Sequence, residues 1–99
     1  AETSECAIAH CAAGDRDIAR ELLLWTMPHR REDGAYWTGI VYPAEPEKTI
    51  VRFPADEYSA YTAAAIILAA DAISSGSPAS TLFTQPMVRK NAHLKARAL

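Results

Sequence analysis

The sequence lacks any apolar run long enough to cross a lipid bilayer, which takes roughly 20 residues in a helix. Its longest uninterrupted run, from Ala63 to Ala70, is bounded by Thr62 and Asp71. The sequence therefore predicts no transmembrane segment. The chain starts Ala-Glu-Thr-Ser-Glu, with neither an initiator Met nor a positively charged region. We expect no signal peptide, and either a processed precursor or a fragment.

Cysteine is scarce, with only Cys6 and Cys11 in the chain. At this spacing on a helix the two side chains point to different faces and cannot reach disulfide geometry. We expect two free thiols, which suits a reducing, cytoplasmic location. Cys6 and His10 share a helix face, but two ligands do not make a metal site. We expect no metal centre, and the sequence identifies no cofactor.

Acidic residues are absent after Asp71, and residues 1–71 hold all twelve of them. The end of the chain carries only positive charges, on Arg89, Lys90, Lys95 and Arg97, although the net charge is −2. Four basic residues without interleaved aromatic side chains are typical of a solvated end. We therefore expect no nucleic acid partner.

Large apolar side chains are few, because much of the 49% hydrophobic share is alanine, which buries little area per residue. A chain of this size buries only roughly 60 to 65% of the surface that its unfolded form exposes. We expect one small helical domain with a thin core at residues 1–83. The basic tail, residues 84–99, is predicted to be a weak helix or disordered.

Glycine, serine and proline divide the chain into predicted helices. A small-residue helix over residues 3–13 ends at Gly14, and Asp15 caps a second helix over residues 15–27 that Pro28 closes. The tight connection predicts a helical hairpin. The apolar stripe of the second helix is predicted at Ile18, Leu22 and Trp25, and Leu23 and Leu24 widen it.

A third helix is predicted to begin at a cap formed by Asp56 or Ser59 and to run to about Ser74. Because it is apolar nearly all round between Ala63 and Ala70, we expect it to need neighbours on several sides. A short fourth helix is expected after a Ser77 cap, docked by Leu82 and Phe83.

The middle of the chain has a different composition. Pro43, Pro46 and Pro54 exclude a long helix, while residues 40–42 and 49–53 have strand propensity. The sequence predicts a short extended or β-hairpin excursion near residues 36–53, with a polar turn at residues 43–48 that reaches solvent.

The run from Asp33 to Gly39, Asp-Gly-Ala-Tyr-Trp-Thr-Gly, is the most informative motif. Asp33 and Gly34 predict a turn, the aromatic pair anchors it, and Gly39 lets the backbone pass close to a neighbour. Extended to Pro43, and together with Tyr61–Ala72 and Ser77–Phe83, this run resembles the C-terminal part of actinobacterial prenyltransferase-like or squalene-cyclase-like proteins, which have an α/α-toroid fold.

The resemblance implies an all-α fold of helical hairpins forming an arc of an α/α-toroid, so that residues 1–83 are a single domain or a partial toroid. It implies part of a prenyltransferase-like or terpenoid-cyclase-like transferase, contributing scaffold and aromatic pocket wall for a hydrophobic, isoprenoid-type ligand. The rest of a larger chain, or self-association, would complete the ring. The segment has neither the Asp-x-Asp-Asp motif of the cyclases nor the zinc ligands of the protein prenyltransferases. The catalytic residues are therefore unknown and expected elsewhere.

Aromatic side chains are the candidate ligand-binding residues, because their faces pack on apolar, sugar and cationic surfaces. The alternative is that they anchor the central loop onto the helices. The candidates are Tyr36, Trp37, Tyr42, Tyr58 and Tyr61. Two acidic pairs, Glu32 with Asp33 and Asp56 with Glu57, are candidates for acid–base chemistry or, alternatively, for holding a turn and capping a helix.

Two further functions remain open at this point. A non-enzymatic helical module would bind a partner protein through the surface that the apolar third helix leaves open. An α/α-toroid glycan-active enzyme would use the same aromatic loop, but it needs two carboxylates facing each other at about 5 to 9.5 Å. The sequence places no pair in that way, and it leaves the substrate and the oligomeric state undetermined.

Overall fold

Helices form most of the computed structural model, which describes residues 1–85. The described part contains four α-helices: α1 (Glu2–Ala12), α2 (Arg16–Leu24), α3 (Ala60–Ser74) and α4 (Ser80–Thr84), with a 3₁₀ turn at Met27–His29. Two short antiparallel strands, β1 (Ile40–Val41) and β2 (Val51–Arg52), pair Ile40 with Arg52 and Val41 with Val51. The predicted helical class and its short β excursion are confirmed. The basic residues of the tail lie outside the described residues.

The first two helices form the predicted hairpin. Gly14 adopts a φ of +93°, which glycine tolerates and other residues rarely adopt, and this lets the chain reverse between them. Asp15 stands at the start of α2, but its side chain makes no capping hydrogen bond. A carboxylate oxygen of Asp15 lies instead 3.7 Å from Nδ1 of His10.

The buried face of α2 differs from the predicted stripe. Ala19 is fully buried, Leu22 and Leu23 pack partly against the core, and Ile18 and Trp25 are exposed. Positions 22 and 23 were therefore predicted correctly, and positions 18, 24 and 25 were wrong. The physical reason is that α2 contacts its neighbours through its smallest residue, which allows a closer approach than the larger side chains would permit.

The core consists almost entirely of small side chains at the contacts between α1, α2 and α3. It comprises Ala7, Cys11, Ala19, Ala69, Ala72 and Ile73. Cys11 donates a hydrogen bond from Sγ to the carbonyl oxygen of Ala72 at 3.3 Å, while Cys6 is exposed. The expected pair of free thiols on different faces is confirmed.

Helix α3 is capped at both ends. The Ser59 hydroxyl accepts a hydrogen bond from the backbone N–H of Thr62 at 3.0 Å, so Ser59 is the cap and Asp56 is not. Ser75 ends the helix in the left-handed conformation. The guanidinium of Arg16 donates to the carbonyl oxygen of Ile73 and, at 3.1 Å, to the hydroxyl of Ser75, which satisfies groups that a helix end leaves free.

Large apolar side chains lie mainly on the surface of the described residues. Ile67 projects from the middle of α3 with 67% of its surface exposed. The expected docking of α4 through Leu82 and Phe83 is wrong, because both side chains are exposed and the residue that α4 buries is Ser80. Asp71 is half-buried and accepts a hydrogen bond from the Ser77 hydroxyl at 2.8 Å.

No helix within residues 1–85 has the length and apolar character needed to cross a membrane.

Enlarging a core alanine will destabilise the fold. Ala69 is fully buried between the helices, so Ala69→Leu has no space for its added carbons. Overpacking of this kind costs about 1 to 3 kcal/mol. Ala70 is exposed on the same helix, and Ala70→Leu is the matched control. Urea unfolding followed by circular dichroism should show the loss for Ala69→Leu alone, and equal stability of the two variants would contradict the packing described.

Candidate functional site

An aromatic cleft lies where the start of α1, the end of α2, the central loop and α3 meet. Its volume is about 440 Å³, within the range of about 300 to 1,000 Å³ found for small-molecule sites. Its walls are formed by Thr3, Trp25, Thr26, His29, Tyr36, Trp37, Thr38, Gly39, Ile40, Tyr42, Thr62 and Ile66. We call this feature the aromatic cleft.

The Asp-Gly turn fixes the entry of the loop into the cleft. Oδ1 of Asp33 accepts a hydrogen bond from the backbone N–H of Ala35 at 2.9 Å, and Gly34 has a φ of +88°. The backbone N–H of Arg31 donates to the carbonyl oxygen of Ala35 at 2.8 Å, which closes the turn. Asp33 and Gly34 therefore form a turn, and Tyr36, two residues after Gly34, lines the cleft.

Trp37 is held from three sides. Its backbone N–H donates to the carbonyl oxygen of His29 at 2.9 Å, and its indole Nε1 donates to the carbonyl oxygen of Pro54 at 2.7 Å. Its ring stacks on the imidazole of His29, with centroids 5.3 Å apart and planes 23° apart. Trp37 therefore both anchors the loop and presents part of the cleft wall.

Gly39 permits the close approach of the loop to His29. Its φ is +113°, and a Cβ at this position would lie 3.3 Å from Cε1 and 3.4 Å from Nδ1 of His29. The carbonyl oxygen of Gly39 accepts from the N–H of Phe53 at 3.1 Å. The neighbouring Thr38 donates from both its N–H and its hydroxyl to the carbonyl oxygen of Glu57, at 3.0 and 3.2 Å. These bonds join the loop to the segment before α3.

Three of the five aromatic candidates line the cleft: Tyr36, Trp37 and Tyr42. The Tyr36 hydroxyl lies 3.9 Å from Sδ of Met27, and Tyr42 is largely exposed at the rim.

Tyr58 and Tyr61, the other two candidates, do not line the cleft. Nε of Arg31 donates to the Tyr58 hydroxyl at 3.3 Å, outside the cleft. The Tyr61 hydroxyl donates to the carboxylate of Glu5, and this bond raises the pKa of Tyr61 above its ordinary value. Because Tyr61 lies next to the cleft-lining Thr62 on α3, its side chain points to a different side of the helix.

None of the described residues that line the cleft is an aspartate, glutamate, lysine or arginine. Four threonine side chains, two tyrosines and His29 supply polar groups, and the residues lining the cleft within the described chain include no carboxylate. Glu32, Asp33 and Asp56 are exposed and Glu57 is half-buried, none of them in the cleft wall. Within residues 1–85, no three His, Cys, Asp or Glu side chains are close enough together to hold a metal ion.

Sequence reasoning missed two important cleft residues. The spacing predicts Trp25 on the core stripe and does not single out His29, yet both line the cleft, and Trp25 is 61% exposed. Their spacing of four residues at the end of α2 is the signal that could have linked them to Trp37. The contributions of Thr3, Thr62 and Ile66 arise from tertiary packing and leave no local signal.

Comparison with known proteins finds one relevant similarity. The chain is 42% identical over 83 residues to MMP endo-(1,4)-3-O-methyl-alpha-D-mannosidase of Mycolicibacterium hassiacum. The match covers 84% of this chain and 21% of the mannosidase, so the chain spans about a fifth of that relative's length. No protein family matches the chain, and no solved structure does.

A methyl group at Gly39 will disturb the cleft more than one at Gly14. Both glycines have positive φ, so an alanine at either position is strained, at a cost of about 1 to 3 kcal/mol. Only Gly39→Ala also crowds the His29 ring, because nothing lies within 4 Å of a Cβ at Gly14. Near-ultraviolet circular dichroism should therefore show a changed tryptophan signal in Gly39→Ala and an unchanged one in Gly14→Ala. The same spectrum in both variants would argue against the close approach.

Alkaline pH will remove the contact between Tyr61 and Glu5. The bond raises the pKa of Tyr61 above its ordinary value, which is about 10. Its contribution to stability is therefore fully present below pH about 10 and lost as the pH rises through the raised pKa. Unfolding free energies of the wild type and Tyr61→Phe, measured across this range, should converge at high pH. A constant difference between the two proteins would contradict the assignment.

Proposed function

We propose that this chain forms part of the sugar-binding wall of a glycan-active protein similar to the mannosidase of Mycolicibacterium hassiacum. The observation that carries the proposal is the aromatic cleft, in a chain with 42% identity to a protein named for a 3-O-methyl-α-D-mannoside. The ligand we propose is a neutral oligosaccharide of that class.

The chemistry of the cleft suits a sugar. Trp25 and Trp37 supply flat apolar surfaces on which the C–H face of a pyranose can pack. Threonine hydroxyls and an imidazole supply hydrogen-bonding groups on the same walls. A methyl ether on the sugar would find apolar surface at Ile40 and Ile66. The absence of a carboxylate among the described lining residues favours a neutral ligand over a cationic one.

The proposed role of this chain is to hold the sugar rather than to cleave it. Glycoside hydrolysis commonly uses two carboxyl groups on either side of the scissile bond. The four acidic candidates, Glu32, Asp33, Asp56 and Glu57, are not cleft-lining residues. The residues that would cleave the bond are therefore expected in other parts of such a protein.

The arrangement proposed for the helices is an arc of an α/α-toroid, in which further helix pairs pack on both sides. Two faces of the described helices support this proposal. Ile67 on α3 and Leu24 on α2 are more than half exposed, although side chains of this type are normally buried. Neighbouring hairpins of a longer chain would cover them.

Two earlier hypotheses stay predictions. A prenyltransferase-like or terpenoid-cyclase-like protein would use the same cleft for an isoprenoid, and a protein-binding module would use the exposed face around Ile67. The similarity to a mannosidase favours the sugar. Separate titrations with farnesol and with the oligosaccharide distinguish the first hypothesis from the proposal. Binding of farnesol alone would favour the isoprenoid site, and binding of the oligosaccharide alone would favour the sugar site.

Truncation of Trp25 tests the proposal directly. Trp25 lines the cleft, is largely exposed and makes no side-chain hydrogen bond within residues 1–85, so Trp25→Ala should leave the fold intact. Loss of one aromatic contact of about 0.5 to 1.5 kcal/mol corresponds to a roughly two- to tenfold weaker affinity. Calorimetric titration with a 4-linked 3-O-methyl-α-D-mannoside oligosaccharide measures it.

The matched control is Leu24→Ala. Leu24 is the adjacent residue, is 64% exposed and does not line the cleft. Its variant should bind the oligosaccharide as the wild type does. Equal loss of affinity in both variants, or no binding by the wild-type chain, would refute the proposed site.

A further inference from the structure

We infer that His29 binds the proposed ligand through a hydrogen bond between its Nε2 atom and a hydroxyl group of the sugar. The inference rests on the proposed function and identifies its specificity-determining residue. His29 belongs to the 3₁₀ turn at Met27–His29 and lines the aromatic cleft. It is the only titratable side chain other than the two tyrosines among the described lining residues.

The imidazole is held in one orientation by the protein. One face stacks on the indole of Trp37 at a centroid distance of 5.3 Å. The edge formed by Nδ1 and Cε1 lies against Gly39, where a Cβ would approach to 3.4 and 3.3 Å. The backbone carbonyl of His29 is fixed by the N–H of Trp37. Such fixation lowers the entropy that a ligand contact would otherwise cost.

The ring nitrogens have no protein partner to satisfy them in the described part of the chain. Neither forms a hydrogen bond or an ion pair with any of residues 1–85, whereas the indole Nε1 of Trp37 donates to the carbonyl oxygen of Pro54. Nε2 lies further from Gly39 than Nδ1 does. Because the loop encloses it less than it encloses Nδ1, Nε2 is the nitrogen that we assign to the ligand, on a half-buried ring that lines the cleft.

Three of the four threonine hydroxyls of the cleft are already hydrogen-bonded within the fold. The Thr26 hydroxyl donates to the carbonyl oxygen of Leu23 at 2.6 Å, and that of Thr38 donates to Glu57 at 3.2 Å. The Thr62 hydroxyl accepts from Ser59 at 2.9 Å. A neutral imidazole nitrogen can either accept from or donate to a sugar hydroxyl, according to its tautomer. His29 thus combines a fixed orientation with free hydrogen-bonding capacity.

The test compares His29→Phe with His29→Gln in the full chain, titrated with the 4-linked 3-O-methyl-α-D-mannoside oligosaccharide. Phenylalanine keeps a flat ring against Trp37 but has no nitrogen, and glutamine restores a polar group near the position of Nε2. We expect His29→Phe to bind about tenfold more weakly, as loss of one hydrogen bond predicts, and His29→Gln to recover most of that loss. Near-ultraviolet circular dichroism checks that the tryptophan environment persists in His29→Phe.

A series of oligosaccharides, each lacking one hydroxyl, identifies the group that His29 contacts. For one member, the wild type and His29→Phe should bind with equal affinity. Wild-type affinity of His29→Phe for the parent oligosaccharide would overturn this inference and leave the sugar site in place. No binding by the wild type would overturn both. If His29→Phe loses its tryptophan signal, His29→Gln against His29→Ala gives the same comparison, and equal affinities there overturn the inference.

Discussion

Small residues at the contacts between α1, α2 and α3 are the constraint on which the rest of the structure depends. Ala7, Ala19 and Ala69 have no accessible surface, so the helices approach closely and their larger side chains are directed outward. Close packing of this kind tolerates little added volume. It also explains why Trp25 lines the cleft and why Ile67 lies on the surface. A core of large side chains would have drawn both residues inward.

The central loop is positioned by hydrogen bonds to backbone carbonyl groups more than by apolar burial. Trp37 donates hydrogen bonds to the carbonyl oxygens of His29 and Pro54, and Thr38 donates two to the carbonyl oxygen of Glu57. The loop therefore connects the end of α2 to the segment that leads into α3. Because each unpaired buried backbone group would cost about as much as a lost hydrogen bond, this set of bonds defines the position of the loop closely. The same bonds fix the orientation of the cleft wall.

The sequence predicted those features that depend on local chemistry. The Asp33–Gly34 turn, the short β pair and a cap at one of two candidates, of which the structure shows Ser59, follow from residues close together in the chain. The buried face of α2 and the membership of the cleft did not follow, because both depend on which helices meet. Ile18 and Ala19 are adjacent, and only the tertiary contact with α1 decides that the smaller one is buried. On α3, tertiary contacts likewise decide that Thr62 is buried while the adjacent Tyr61 is exposed.

Recognition and cleavage make different demands on a sugar site, and the site that we propose is suited to the first. A catalytic acid must be partly desolvated and face the scissile bond, whereas the acidic residues here serve the surface of the fold. Asp33 accepts a backbone hydrogen bond in its turn, Glu5 accepts from Tyr61, and Asp71 accepts from Ser77. A stacking wall needs aromatic faces held without strain and polar groups with spare capacity. Trp37, held by its indole nitrogen, and His29, held by its ring face, divide those two requirements between them.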